Sequence, residues 1–312
     1  MVRCTRKNDL DARKKTIETL QATKSQTKTA SLLRISFDQV HRIMQRAVKR
    51  GLDRRDNTEL YQYLSIDEKA VHRGHEYVSI LSDEGSGLVL GVVEGRTMES
   101  VDILCQESLT KSQREQVKTL CTDMWDAYIY GANRYFPNAL HCHDNFHLVG
   151  YLNKAVDKVR RREVKYQEEL KQTKYLFLKD QMNLTEKQRI AFDAIKDCNY
   201  ETSKAWRVKE NFRDIQFRQT IEEAFIIYYR WKGDAKHAQI KEINEVVDMF
   251  ARHEIGIINA IHTGANNARA ERLNGAIQEV KTIGRGYRKT ENFITAIMFF
   301  HAGLNLFPQK SQ

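Results

Sequence analysis

YQYLSIDEKAV, residues 61–71, alternates apolar and polar side chains and carries a carboxylate, Asp67, near its end. Alternation with period two predicts a half-buried strand. On its C-terminal side, HEYVSILSDEGSGLVLGVVEG (75–95) is two β-rich runs around DEGSG, the pattern of a hairpin. Residues 98–116 are predicted as one helix with Asp102, Glu107 and Lys111 outside. VKTLCTDMW (117–125) is a short apolar run that again ends in a carboxylate, Asp123. DAYIYGANRY (126–135) is predicted as a helix, and NALHCHDNFH (138–147) as a fifth strand followed by a loop. Three strands, helix, strand, helix, strand is the succession of an α/β fold: a mixed sheet with helices packed on it.

The flanks differ in character. Residues 8–50 show helical spacing, and TASLLRISFDQVHRIMQRAVKR (29–50) has the look of a helix-turn-helix. Ala30 and Leu33 would face the core, Ser36 would cap the second helix, and Val40, Ile43, Met44 and Ala47 would form its apolar stripe. That helix would then expose Gln39, His41, Arg42, Gln45 and Arg46 to DNA. Arg34 stands where such turns usually have glycine, and GLDRRDNTE (51–59) reads as a linker. Beyond the sheet, residues 148–262 contain no proline and are predicted as an all-helical insertion, with VDKVRRREVKYQEELKQTKYLFLKD (156–180) among its helical runs. Residues 263–312 supply two further helices to the sheet. The expected division is therefore 1–56 basic helical DNA-binding region, 57–147 core, 148–262 insertion and 263–312 core.

Charge supports a polyanionic partner. The net formal charge is +10; residues 1–56 carry 15 Lys and Arg against 6 Asp and Glu, an excess of nine, leaving +1 for the rest. No run approaches the ~20 apolar residues of a membrane span. Five scattered cysteines with no Cys-x-x-Cys pair argue against a disulfide framework or a four-cysteine zinc site. A cytoplasmic, nucleoid-associated location is the expectation.

The strand order is that of ribonuclease H-like sheets, in which the strands bearing Asp67 and Asp123 are neighbours and their carboxylates converge. Adjacent carboxylates repel unless a hard cation lies between them, and Mg²⁺ prefers such oxygen ligands. Two ions about 4 Å apart can activate a nucleophile and stabilise a leaving oxygen in phosphodiester cleavage. A third carboxylate is required from a helix at the same sheet edge. Glu271, in NNARAERLNGAIQEVK (266–281), is the candidate, with Asn267 and Asn274 at helical spacing on its side. Glu68 should point to the opposite face of its strand. Asp126 would cap the following helix. Glu279 lies about 12 Å further along the helix.

SIDEKAVHRGHEYVSILSD (65–83), TDMWDAYIYGANRYFPNALHCHDNFH (122–147), NNARAERLNGAIQEVK and GRGYRKTENF (284–293) together resemble bacterial insertion-sequence transposases of the ISL3 family, over most of 30–305. The resemblance implies a DDE catalytic domain of ribonuclease H-like fold, interrupted by a helical insertion before the Glu, with Asp67, Asp123 and Glu271 as catalytic metal ligands. It also implies an Asp-x-x-His pair, here Asp144 and His147, that supports the site. Mg²⁺ or Mn²⁺, as two ions, is the expected cofactor. Double-stranded DNA, as terminal inverted repeats and as target, is the expected partner, with a homodimer or larger assembly on it. Family members commonly carry a cysteine zinc ribbon before the helix-turn-helix. No such set is present here, so a separately encoded zinc-ribbon protein is a further expected partner.

The function expected is metal-dependent strand cleavage at element ends and transfer into target DNA. The alternatives are a transposase-derived DNA-binding protein without catalysis and a ribonuclease H-like nuclease. Arg160, Arg161 and Arg162 are candidate DNA-backbone contacts. Trp206, Trp231 and IIYYRW (226–231) are expected as buried helix.

Overall fold

Five strands form one mixed sheet in the order β3-β2-β1-β4-β5. They are β1 Tyr63–Ala70, β2 Tyr77–Asp83, β3 Val89–Glu94, β4 Thr119–Thr122 and β5 Leu140–His143. The computed structural model describes residues 2–72, 76–265 and 268–309, and the side chains of 9–72, 76–265 and 269–309. β1 is central, antiparallel to β2 and parallel to β4, and β2 is antiparallel to β3. The β2–β3 hairpin forms where DEGSG predicts it. Asp83 Oδ2 accepts from the Ser86 backbone N–H at 2.6 Å, and Gly87 takes φ +76°, a conformation costly for any residue with a Cβ.

The chain divides into two compact units, Met1–Ala139 with Asn267–Gln312, and Leu140–Asn266. In the first unit, helices are α1 Val2–Thr23, α2 Gln26–Leu33, α3 Phe37–Leu52, α4 Met98–Ser108, α5 Lys111–Glu115 and α6 Asp126–Tyr135, completed by α14 Ala268–Ile283 and α15 Thr290–His301. Period two splits the sheet into two environments. Leu64, Ile66, Leu81 and Leu90 share a core with Val101 and Leu104 of α4 and Tyr128 of α6. Val78, Ile80 and Val89 face the other way, into a core with Leu273 and Ile277 of α14 and Phe293 and Ile297 of α15.

That second core also contains Ile17, Leu20, Val40 and Met44, so the N-terminal helices are built into the unit. The stretch expected to link them, 51–59, is tied down as well: Arg54 donates to Phe307 O at 2.8 Å, and Arg55 donates to Leu90 O. Ser36 caps α3 with a full capping box, in which the Gln39 side chain accepts from the Ser36 N–H at 2.9 Å. Arg34 closes α2 in the left-handed region at φ 52°, taking the geometry that glycine usually supplies there. The single helix predicted for 98–116 is two, because Thr110 starts a new capping box with Gln113.

The second unit contains β5, α7 Asn145–Glu163, α8 Lys174–Leu178, α9 Glu186–Asp193, α10 Glu201–Arg213, α11 Ile221–His237, α12 Lys241–Arg252 and α13 Glu254–Thr263. It starts earlier than the expected insertion because α13 packs on β5. Asn259 donates to His141 O at 2.9 Å, and a Cβ on Gly256 would sit 2.5 Å from the His143 ring. No loop follows β5; Asp144 caps α7 directly, accepting from Phe146 N–H at 3.1 Å. The run 156–180 breaks after Glu163 into a short 3₁₀ turn and α8, with Gln172 at φ 62°. Trp206 and Trp231 are buried as expected, but IIYYRW is buried on one side only: Tyr228 is inside, whereas Ile226 is 58% exposed. Among the described residues no helix is long and apolar enough to cross a membrane.

Candidate active site

Ser65, Asp67 and Lys69 occupy one face of β1, the face covered by α14. Each is engaged in turn. Ser65 Oγ donates to Glu84 Oε1 at 2.7 Å. Asn274 Nδ2 on α14 donates to Asp67 Oδ2 at 2.6 Å. Lys69 Nζ donates to Asn274 O at 3.2 Å. Helix and strand thus run alongside each other, stitched by polar contacts where Ile80 and Val78 opposite supply the apolar ones.

Strand register relates Asp123 to Asp67. Ile66 pairs with Thr122 in the parallel β1–β4 ladder, so the next position on each chain is an aspartate. Parallel partners share a face and lie about 4.8 Å apart across the ladder. Each carboxylate also takes a local backbone donor: Asp67 Oδ1 from Glu68 N–H and Asp123 Oδ1 from Met124 N–H, both at 2.7 Å. Glu68 points to the opposite face, as predicted, and pairs with Arg96 at 3.0 Å. Arg96 stacks over Tyr77 and Trp125, and Trp125 Nε1 donates to Arg96 O at 2.8 Å, which braces the turn that follows Asp123. Asp126 does not cap α6; Trp125 holds the cap position and Asp126 sits in the first turn, where it favours the helix dipole.

Glu271 lies in the first turn of α14, exposed, one turn before Asn274. Among the described residues, no group of three His, Cys, Asp or Glu side chains converges as a metal site would. The two aspartates thus each follow the last pair of the β1–β4 ladder, and the candidate third acid rides on the helix that bonds Asp67. Asn267 lies outside the described residues.

Glu84 was not among the sequence candidates. It follows β2 and accepts from the backbone N–H groups of Arg269 and Ala270, the start of α14, as well as from Ser65. Burial pushes its carboxyl above the usual range, more than these hydrogen bonds pull it down. Its only sequence signal is the polar stripe Ser65–Asp67–Lys69, which demands polar partners on that face. Burial, with Lys281 nearby, lowers the Lys69 pKa, and Asp67 opposes the shift.

The remaining candidates fall elsewhere. Asp144 and His147 belong to the second unit, where His147 Nε2 is 3.7 Å from Asp144 Oδ2. Arg160 pairs with Asp157, and Arg162 joins Glu242 at 2.9 Å and Glu201, tying α7, α10 and α12 together; Arg161 is the most exposed of the three, 3.3 Å from Asp157. On α3, Arg42, Gln45 and Arg46 are exposed, while His41 Nδ1 lies 3.1 Å from Gln26 Oε1.

Comparison with known proteins gives the family. A transposase family model of the ISL3 DDE type matches residues 64–297, the span from β1 to α15. The chain is 25% identical over 244 residues to the transposase for insertion sequence element IS1001 of Bordetella parapertussis, covering 76% of this chain and 60% of that one. It is 24% identical over 316 residues to the transposase for insertion sequence element IS1557 of Mycobacterium tuberculosis, covering 92% of this chain and 71% of that one. With three quarters of its length inside the family match, the chain belongs to the ISL3 family of insertion-sequence transposases.

Proposed function

We propose that the chain cuts and joins DNA strands with Asp67, Asp123 and Glu271 on a ribonuclease H-like core. The observation that supports this reading is the register of β1 and β4, whose last pair, Ile66 and Thr122, directly precedes Asp67 and Asp123, with Asn274 of the Glu271-bearing helix bonded to Asp67. Such a pair of carboxylates suits a hard divalent cation better than it suits solvent. Mg²⁺ or Mn²⁺, as two ions, would supply the activation of water and the stabilisation of the leaving oxygen. Asp67 and Asp123 would hold that charge from the sheet. Asn274 fixes the Asp67 carboxylate in orientation, and Glu271 would close the site as α14 settles on DNA.

In this reading residues 1–56 contribute the DNA-binding helices, with α2 and α3 as a helix-turn-helix presenting Arg42, Gln45 and Arg46. Gln39 and His41 lie on the same helix with their side chains already partnered. The described parts of 57–147 and 263–312 would carry the chemistry, with Asp144 and His147 as support, and 148–262 would be a helical insertion. Arg161 is its best-placed contact for a phosphate. The substrates would be the element's terminal inverted repeats and a target duplex, bound by two or more copies of the chain, with a separate zinc-ribbon protein as a companion.

The test is incubation of purified protein with Mg²⁺ and a labelled, pre-nicked element end. Joined product supports transposition, cleavage alone supports a nuclease, and bound but unchanged DNA supports a binding protein. Asp67→Asn, Asp123→Asn and Glu271→Gln should each reduce cleavage and joining by at least about a hundredfold, close to 3 kcal/mol in the barrier, while DNA binding persists. Near-normal cleavage by Glu271→Gln together with loss in Asp144→Asn would move the third acid to Asp144.

A further inference from the structure

We propose that a groove between the start of α2 and the turn after α14 clamps the phosphodiester backbone of DNA. This rests on the transposase reading and specifies where the substrate would be held. The groove is a cavity of about 590 Å³, within the first unit throughout. One wall is the first turn of α2 with Phe37 and His41 of α3; the other is 283–288.

None of its lining residues is acidic, whereas Lys24, Lys28, Arg285 and Arg288 all line it. Lys24 is neutralised by Glu279 at 2.9 Å. Lys28, Arg285 and Arg288 are exposed and make no ion pair among the described residues. A concave surface with uncompensated cations on both walls recruits a polyanion. The first-turn N–H groups of α2 add partial positive charge to the same wall. Phe37, half exposed, and Tyr287 give the groove apolar surface suited to deoxyribose.

Backbone conformation supports the same reading. Arg285 sits at φ 54° and Gly286 at φ 85°, closing α14 with Gly286 N–H donating to Lys281 O at 2.9 Å. A left-handed position favours glycine, and an arginine there costs roughly 1 kcal/mol. Arg285 closes α14 as Arg34 closes α2, and that closure fixes the backbone from which its exposed guanidinium lines the groove. The geometry has a mechanical consequence: α14 carries Glu271 in its first turn and the groove at its last. A backbone seated in the groove would fix the helix that presents the acid.

The experiment is fluorescence anisotropy of the full chain with a short arbitrary duplex across a range of KCl. The comparison is wild type, the Lys28→Ala/Arg285→Ala/Arg288→Ala triple variant, and Arg285→Lys/Arg288→Lys. The triple variant should lose about 2–3 from the slope of log affinity against log salt and at least about tenfold in affinity at moderate salt. The lysine pair should retain most of both, which separates lost charge from lost folding. An unchanged slope and affinity in the triple variant overturn the groove while leaving the transposase reading intact. Wild type that binds no duplex overturns that reading and the groove with it. Full displacement of duplex by millimolar pyrophosphate from wild type would assign the groove to a free polyphosphate and overturn the DNA proposal.

Discussion

Asp67 owes its position to two neighbours of different legibility. Asn274 is readable beforehand, because it falls on the Glu271 side of a predicted helix. Glu84 is not, because a carboxylate in a hairpin turn looks like a solvated turn residue until the start of α14 is seen resting on it. Its raised pKa has a stability consequence. Protonation favours the fold, so this contribution is complete below the ordinary carboxyl pKa of 4.5 and is lost as pH rises through the elevated folded value. Glu84→Gln removes that loss and keeps an acceptor for the helix start. The wild type should gain Tm relative to Glu84→Gln as pH is lowered from neutrality towards 4.5; a constant difference across that range would show that Glu84 ionises freely. Arg34 makes the opposite kind of case, a sequence oddity resolved by geometry. It adopts φ 52° and does glycine's work. Arg34→Gly should raise stability by about 0.5–1 kcal/mol in chemical unfolding, relief of left-handed strain exceeding the added chain entropy. A loss of stability would mean that the arginine side chain holds the turn.

Among the elements, strands were the most legible and helix breaks the least. Alternation in 61–71 and the apolar runs of 75–95 mark β1 to β3, because a half-buried sheet forces period two on its sequence. The breaks at Leu109–Thr110 and after Glu163 lack both glycine and proline. Thr110 could have been read as a cap from its Gln113 partner three residues on; the break near Gln172 is set by the burial of Leu170, Leu176 and Phe177, which only the tertiary fold reveals. The half-exposed side of IIYYRW follows from the same limit, since an apolar helix does not say how much of itself is covered. Close approach is likewise invisible in sequence. A Cβ on Gly131 of α6 would lie 2.3 Å from the Val101 Cγ1 of α4. Gly131→Ala should therefore cost about 1–3 kcal/mol in chemical unfolding despite alanine's better helix propensity. A neutral result would mean that α4 and α6 can slide apart without penalty.

For the whole molecule, charge asymmetry marks residues 1–56 as a basic helical region. Its helices share the core of the first unit, since Ile17, Leu20, Val40 and Met44 pack with Phe293 and Ile297. Deleting residues 1–56 would uncover those partners, so the truncated chain should aggregate or melt far below wild type in a thermal scan. A truncation with unchanged Tm would show that the N-terminal helices are a separable module. DNA-binding tests on this protein are better made with surface substitutions than with deletions.

The apolar cluster shared by α3, the sheet and α15 draws its members from residues 17–89 and from 273–306, with residues 140–266 synthesised in between. At about 5–20 residues per second, a ribosome leaves the first half waiting about 10–40 seconds for the second. During that interval Val78, Ile80 and Met44 lack their final covering, and Asp67 lacks Asn274. Nascent chain therefore exposes apolar surface that the finished fold covers. A chain cut short anywhere before α14 lacks Asn274, Glu271 and the covering of this cluster, so under the proposed function only a fully translated chain would act.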